Sequence, residues 1–454
     1  MNKIPWYLED AIKAIDPWIS YKRVDERVPG IAVGITYKGK TVFTKGYGFS
    51  DLSKKKKMTP QTLFRVASNS KMFTATAIMQ LSEKGKLHLD DKVQKYLPWF
   101  KSEKDKNMDK ITIYNLLTHS AGIERDGDTP HWNDDNFPEI DRVKEHVREG
   151  ISNYPPYERF KYSNYGFSFL GDVISVVSGK TYEEYVQENI LKPIGLTNTY
   201  PDFEESLLKE LSVAYDKARP GKKRTIFVNT KTNFFKSATG FVSNVEDLSK
   251  FLAAQRIGSK QLLSDESKRN MQKIHFSMVN EKDHYGIGYE IWKLERNQII
   301  GHGGGYAGYR TRVGMNKDGE IGVVVLTNMM DGPAASILNG IFKSVIHLKN
   351  KEKEYLSSKK STINLSKFEG RYSKRWGDSQ IINVGDYLVS FWLDNTNPFE
   401  YIYKLKLKKN NEFKIISGND MGSIGEKACF ELDKKGNVKR MFIGPNPMDK
   451  VNQV

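Results

Sequence analysis

Ser68-Asn69-Ser70-Lys71, inside "RVASNSKMF" (65–73), sets a serine hydroxyl three residues ahead of a primary amine. A serine attacks a carbonyl only when a base takes its proton, and the oxyanion that forms needs fixed donors. Spacing alone does not single out Ser68, because Ser53/Lys56, Ser206/Lys209 and Ser357/Lys360 repeat it in a lysine-rich chain. Its element does. Phe73, Ala77, Ile78 and Leu81 recur at helical spacing and the pattern stops at Gly85. Ser68 therefore lies at the start of a predicted helix, with Lys71 on the same face one turn on.

A second group that could move a proton is Tyr162-Ser163-Asn164. Of the 23 tyrosines only Tyr162 heads a Tyr-x-Asn. A tyrosine flanked by cations loses its proton more easily, and an asparagine amide can hold both a lysine and a substrate carbonyl. A tyrosine in an aromatic cluster, here "YPPYERFKYSNYGF", also packs without doing chemistry. A third stretch, "GHGGGYAG" (301–308), is ambiguous by itself. Gly303, Gly305 and Gly308 fit G-x-G-x-x-G, but strand-like residues follow where a dinucleotide site needs a helix. The His-Gly-Gly-Gly run also imitates an α/β-hydrolase oxyanion loop, yet the chain contains no G-x-S-x-G elbow. The eight histidines form no H-E-x-x-H, and the single cysteine, Cys429, supports neither a metal site nor an internal disulfide. His119, in "LLTHSAGI", reads as a hydrogen-bonded structural residue. No metal or other cofactor is expected.

The elements that must position these groups are legible in outline. Residues 6–22 read as an amphipathic helix, and "GIAVGITYKGKTVFTKGYGF" (30–49) as a hairpin about Lys38-Gly39-Lys40. From 111 to 255 helical patterns alternate with long loops. Strand patterns return at "GIGYEIWKL", "NQIIGHGGGYAGYRTRVGM" and "EIGVVVLTN", before a last helix, "AASILNGIFKSVIHL". Strands at both ends with helices between predict an α+β fold, an antiparallel sheet flanked by helices. After 363 the pattern alternates with period two around short turns, which predicts a separate small antiparallel barrel. The expected division is 1–348, a charged linker 349–364, and a barrel over 365–454.

With 454 residues and 38% hydrophobic content the chain is long enough for two cores and too apolar for disorder. The net charge of +16 comes from lysines spread along the chain, with blocks only at 53–58 and 349–360. Neither block lies in a nucleic-acid motif, so no nucleic-acid partner is expected. The longest apolar run, "IGVVVLTNMM", is too short to span a bilayer, and the N-terminus lacks an uninterrupted apolar stretch. No membrane association is expected, and a cytoplasmic location is.

Taken in order, "ASNSK", "YSN" and "HGG" resemble the three signature elements of the serine β-lactamase and penicillin-binding-protein superfamily, most closely the class C β-lactamase-related hydrolases. The resemblance extends through "TLFRVASNSKMFTATAIMQLSEKGKLHLDDKV" and "YSNYGFSFLGDVISVVSGKTYEEYVQENILKPIGLTNT", and covers about residues 25–347. "LSKFEGRY" (365–372) resembles the start of the lipocalin-like barrel appended to some D-aminopeptidase-like members. The resemblance implies a β-lactamase/transpeptidase-like sheet with an all-helical subdomain. It implies Ser68 as the acylated nucleophile, and Lys71 as acceptor of its proton or modulator of Tyr162. Tyr162 would be general base and then acid, with Asn164 orienting Lys71 and the substrate amide. The backbone N–H groups of Ser68 and Gly305 would form the oxyanion hole, and His302 and Gly304 would line the substrate side.

One departure limits the substrate. Relatives that act on β-lactams or free peptide C-termini carry a lysine followed by a hydroxyl residue where His302-Gly303 stands. A mostly neutral histidine shifts the implied substrates to esters, small amides and short peptides, with short peptides, those containing D-residues included, favoured because of the barrel. Pro155-Pro156-Tyr157 departs from the usual Pro-Gly as well and touches only loop geometry. The alternatives are a carboxylesterase or weak β-lactamase or DD-peptidase, or, from another class, a non-catalytic acyl-binding receptor or scaffold. Homo-oligomerisation is left open.

Overall fold

A computed structural model describes residues 4–278, 282–351, 364–418 and 422–452. Most of the predicted charged linker, including Ser357/Lys360, lies outside the described residues. The chain packs as two compact units, Val28–Ala335, and Met1–Arg27 with Ser336–Val454.

The unit Val28–Ala335 is built on a nine-stranded sheet whose hydrogen-bonded pairs are antiparallel. In chain order its strands are β1 (Gly30–Tyr37), β2 (Lys40–Asp51), β3 (Lys56–Lys57), β4 (Phe276–Ser277), β5 (His284–Tyr285), β6 (Glu290–Leu294), β7 (Asn297–Tyr306), β8 (Tyr309–Asn316) and β9 (Ile321–Thr327). Across the sheet they run β3-β2-β1-β9-β8-β7-β6-β5-β4. The predicted hairpin closes with Tyr37 opposite Lys40, and Lys38 and Gly39 at φ 48° and 79°, the left-handed pair of a tight two-residue turn. β9 is buried at every position, as expected for an interior strand with the most continuous apolar run.

Helix α2 (Ser70–Glu83) is buried from Ser70 to Leu81, not along a single stripe. Its Ala, Thr and Met side chains are small or adaptable, so neighbours close in on all sides. It ends where Gly85 takes φ +65°. Helices α3 (Asn164–Ser178) and α4 (Val245–Gln255) share one apolar core with it, in which Phe73 stacks between Phe241 and Phe251 at 4.6 and 3.9 Å. The predicted α+β class and helical subdomain are thus observed.

The second unit holds helices α1 (Trp6–Asp25) and α5 (Ala334–Asn350) together with a closed eight-stranded barrel. Its strands are β10 (Gly370–Lys374), β11 (Gly377–Val384), β12 (Tyr387–Trp392), β13 (Ile402–Lys409), β14 (Glu412–Ser417), β15 (Lys427–Leu432), β16 (Val438–Ile443) and β17 (Asn446–Val451). Each pairs with the next, and β10 pairs with β17 to close the circle, which removes the edges. Tyr372, Ile381, Leu405, Phe413, Phe430 and Met441 fill the interior. Among the described residues no helix is long and apolar enough to cross a membrane.

Candidate active site

Ser68 sits in a single 3-10 turn, Ala67–Asn69, that feeds α2. Its neighbours Ala67, Asn69 and Ser70 are buried, while Ser68 itself remains partly accessible. Ala67 holds φ +49°, a left-handed conformation costing a non-glycine residue on the order of 1 kcal/mol. The surroundings enforce it. Asn69 Nδ2 donates to the Val66 carbonyl and to Thr311 Oγ1 on β8, both at 2.7 Å. Ser70 Oγ donates to the Ala67 carbonyl at 2.6 Å and accepts the Phe241 N–H at 3.1 Å.

Tyr162 and Asn164 reach Ser68 because of how α3 begins. Ser163 is the N-cap, extended at φ −141°, ψ 117°, and its Oγ accepts the Gly166 N–H at 2.9 Å. An extended residue sends its two neighbours' side chains the same way, so Tyr162 and Asn164 face one point. Tyr162 OH lies 2.8 Å from Ser68 Oγ. Lys71 Nζ makes three contacts: Ser68 Oγ at 3.2 Å, Asn164 Oδ1 at 2.7 Å and the Ala238 carbonyl at 2.8 Å. Ser68, Lys71, Tyr162 and Asn164, identified from separate stretches, thus form one hydrogen-bonded cluster.

Burial governs the charges. It drives Lys71 well below the ordinary lysine range, opposed by Asp126 and reinforced by Arg125. It also pushes Tyr162 above the ordinary tyrosine range, against the pull of Ser68 and Arg125. The cationic neighbours therefore do not make Tyr162 the more acidic group. Lys71 is the group driven toward neutrality, and Tyr162 the one that keeps its proton.

β7 brings the glycines alongside. A Cβ on Gly304 would fall 2.2 Å from both the Val66 carbonyl oxygen and Thr311 Oγ1, so only glycine lets the strand approach the Ser68 turn this closely. Tyr306 and Tyr309 close a two-residue hairpin, which makes Gly304 and Thr311 the next hydrogen-bonded pair. The amides of Gly303 and Gly305 consequently point off the other edge, where β6 ends opposite Gly301. Gly303 N–H donates to the Glu290 carboxylate, and Gly305 is exposed.

His302 is 1% exposed. Its Nδ1–H donates to the Gly303 carbonyl at 2.6 Å, leaving Nε2 to accept the Tyr285 hydroxyl at 3.0 Å. Burial pushes its pKa down to about 4 despite Glu290, so the ring is uncharged at neutral pH. Its centroid lies 6.4 Å from that of Tyr162. His119 is buried beneath the same ring, 4.4 Å from Tyr162, and its Nδ1 accepts the Ser163 N–H at 3.1 Å.

Four contributors escaped the sequence reading. Asp126 accepts the Asn164 amide at 2.6 Å, Ala238 offers Lys71 a carbonyl, Tyr285 caps His302, and Glu290 anchors Gly303. None lies within a recognisable motif. Among the described residues no group of three or more His, Cys, Asp or Glu side chains is arranged to hold a metal.

Known proteins resemble this chain in sequence and fold. Protein flp of Staphylococcus aureus (strain MRSA252) is 26% identical over 323 residues, 70% of this chain, and the match spans 63% of that relative's length. The octameric penicillin-binding protein homologue of Pyrococcus abyssi superposes with a TM-score of 0.66 at 25% identity, covering 97% of this chain and all of its own, 100%. The D-amino acid amidase of Ochrobactrum anthropi SV3 shares the fold at 19% identity, TM-score 0.65, over 76% of this chain and 99% of the amidase. The family described as Beta-lactamase matches residues 15–342, which include every residue of the cluster around Ser68, and this chain belongs to it.

Proposed function

We propose that this protein is a serine hydrolase that cleaves amide or ester bonds of small substrates through an acyl-enzyme on Ser68, short peptides, with or without D-residues, being favoured. The observation that carries the reading is the proton inventory around Ser68 Oγ. A neutral amine has two N–H donors and one lone pair. Lys71 faces two obligate acceptors, Asn164 Oδ1 and the Ala238 carbonyl, which take both donors and turn the lone pair to Ser68. The protonated Tyr162 then donates to the same Oγ.

The steps follow from this. Ser68 Oγ attacks the carbonyl carbon as its proton passes to Lys71 Nζ. The oxyanion is met by the N–H groups of Ser68 and Gly305. Tyr162 gives its proton to the departing nitrogen or oxygen, and the phenolate is reprotonated from Lys71, whose Nζ lies 4.9 Å from the centre of its ring. Water repeats the sequence on the acyl-enzyme in reverse. The uncharged, buried His302 offers no fixed cation to a penicillin or a free C-terminus. The neighbour that shares the fold is a D-amino acid amidase, which supports the amide side of the choice over the ester side. The Pyrococcus relative is octameric, and homo-oligomerisation is proposed on that basis.

Intact-mass spectrometry with a fluorophosphonate should show a single adduct, absent in Ser68→Ala. Turnover of activated esters, D- and L-aminoacyl p-nitroanilides and a chromogenic cephalosporin then ranks the substrates. Adduct formation without turnover would indicate a receptor instead of an enzyme, and dominant cephalosporin turnover would overturn the reading of His302.

A further inference from the structure

Two arginines border the site and a third lies against Gly305, and they differ in their partners. Arg125 pairs with Asp126 at 3.0 Å. Arg312 reaches across β7 at Gly303, pairs with Glu290 and lies 3.9 Å from the Trp292 ring centre. Arg310 makes the same crossing one step along, at Gly305, where a Cβ would fall 2.1 Å from its Nη1. No carboxylate pairs with Arg310 among the described residues, although its backbone is pinned by Thr327 Oγ1 donating to its carbonyl at 2.9 Å. A side chain at 305 would displace the guanidinium, so this glycine both exposes its amide and leaves room for a cation beside it.

The direction along that edge is set by Tyr162. The group that protonates the leaving atom lies toward His302, 6.4 Å between ring centres, so the leaving group departs at that end. On that reading the acyl chain would extend the opposite way from the carbonyl carbon, past Gly305 toward the hairpin. Arg310 lies on that side. At the leaving-group end the positive charge of Arg312 is already matched by Glu290.

We propose that Arg310 recognises an anionic group on the acyl part of the substrate, making this hydrolase selective for amides and esters whose acyl chain carries a carboxylate. The proposal rests on the acyl-enzyme reading above. An unpartnered guanidinium gains a charge-assisted, two-point contact with a carboxylate and nothing comparable from a neutral chain.

The test compares 4-nitrophenyl glutarate with the neutral isostere 4-nitrophenyl 5-oxohexanoate, by the ratio of their kcat/KM values. The ratio should favour the glutarate in the wild-type protein, fall as salt is added, and drop about ten- to a hundredfold in R310Q, with R310E lower still. Wild-type turnover of both esters with no preference for the glutarate overturns the proposal alone, before any variant is made. A ratio in R310Q within about twofold of wild type does the same. No turnover of either ester, with no adduct at Ser68, overturns the acyl-enzyme reading and this proposal with it.

Discussion

Arg125 and Asp126 are adjacent in sequence and pull Lys71 in opposite directions, the arginine toward neutrality and the aspartate toward charge. If neutral Lys71 takes the Ser68 proton, kcat/KM falls as pH drops and Lys71 is protonated. Arg125→Gln removes a repulsion, so the acid limb should move to higher pH. Asp126→Asn removes an attraction, so it should move to lower pH while the amide keeps an acceptor for Asn164. A pH–rate profile of the three proteins on one ester reads both shifts, and movement in the same direction would show that the limb belongs to another group. Tyr162→Phe should lower kcat by about 10²–10⁴-fold with little change in KM. His302 makes a separate prediction about stability. Its folded-state value of about 4 lies below the unfolded value of 6.5, so below pH 6.5 the unfolded chain takes up a proton that the folded chain refuses. The stabilisation is complete above pH 6.5 and is lost as pH falls to 4, up to roughly 3 kcal/mol in all. His302→Gln should flatten the pH dependence of Tm in that window, with a residue of slope from His119, also held neutral by burial.

The start of α3 does two tasks at once, and they can be separated. Ser163→Ala deletes the cap to Gly166 and the 2.6 Å hydrogen bond from Ser163 Oγ to the Glu124 carbonyl. It should cost about 1 kcal/mol of stability and, because Tyr162 and Asn164 flank the cap, lower kcat as well. Ser264→Ala removes an equivalent cap, on the Ser267 N–H at 3.2 Å, from the helix Asp265–Met271. It should destabilise comparably and leave kcat in place. If the two variants lost activity in parallel, the loss would be one of folding. The same element explains what could be read from sequence. Tyr-x-Asn and Ser-x-x-Lys are local patterns, each completed within one turn of a helix start, and the α+β order of strands and helices followed from periodicity. The partners of these groups were silent because contact alone joins them: Asp126 lies 38 residues from Asn164, and Ala238 lies 167 from Lys71. The charge state of Tyr162 was also hidden. Cationic neighbours are visible in a sequence, but the burial that outweighs them is a property of the packed fold.

For the whole molecule, the compact unit around the barrel takes in both α1 and α5, whose sequences carry periodicity but no address. Trp18 of α1 is 1% exposed and its indole N–H donates to the Asn395 carbonyl at 3.0 Å, while Lys22 donates to the Asp394 carbonyl at 3.1 Å. Gly340 of α5 meets Trp18 so closely that a Cβ there would fall 2.4 Å from the indole and 3.0 Å from the Thr396 carbonyl. The ring of His347 stacks on Phe399 at 5.1 Å. The segment around 394–399 therefore joins the two helices to the barrel strands. Gly340→Val forces the indole away from this segment, and overpacking of this kind costs about 1–3 kcal/mol. Calorimetry should show a lower transition for the unit that contains the barrel. The fluorophosphonate adduct at Ser68, which reports on the other unit, should still form at room temperature. Truncation after residue 363 should be harsher. It leaves Trp18 and the buried faces of both helices without the segment that covers them, so the shortened chain should bind a hydrophobic dye and melt at lower temperature. A truncated chain that melted like the full one would mean that α1 and α5 find equivalent partners elsewhere, and that the 394–399 segment is not what holds them.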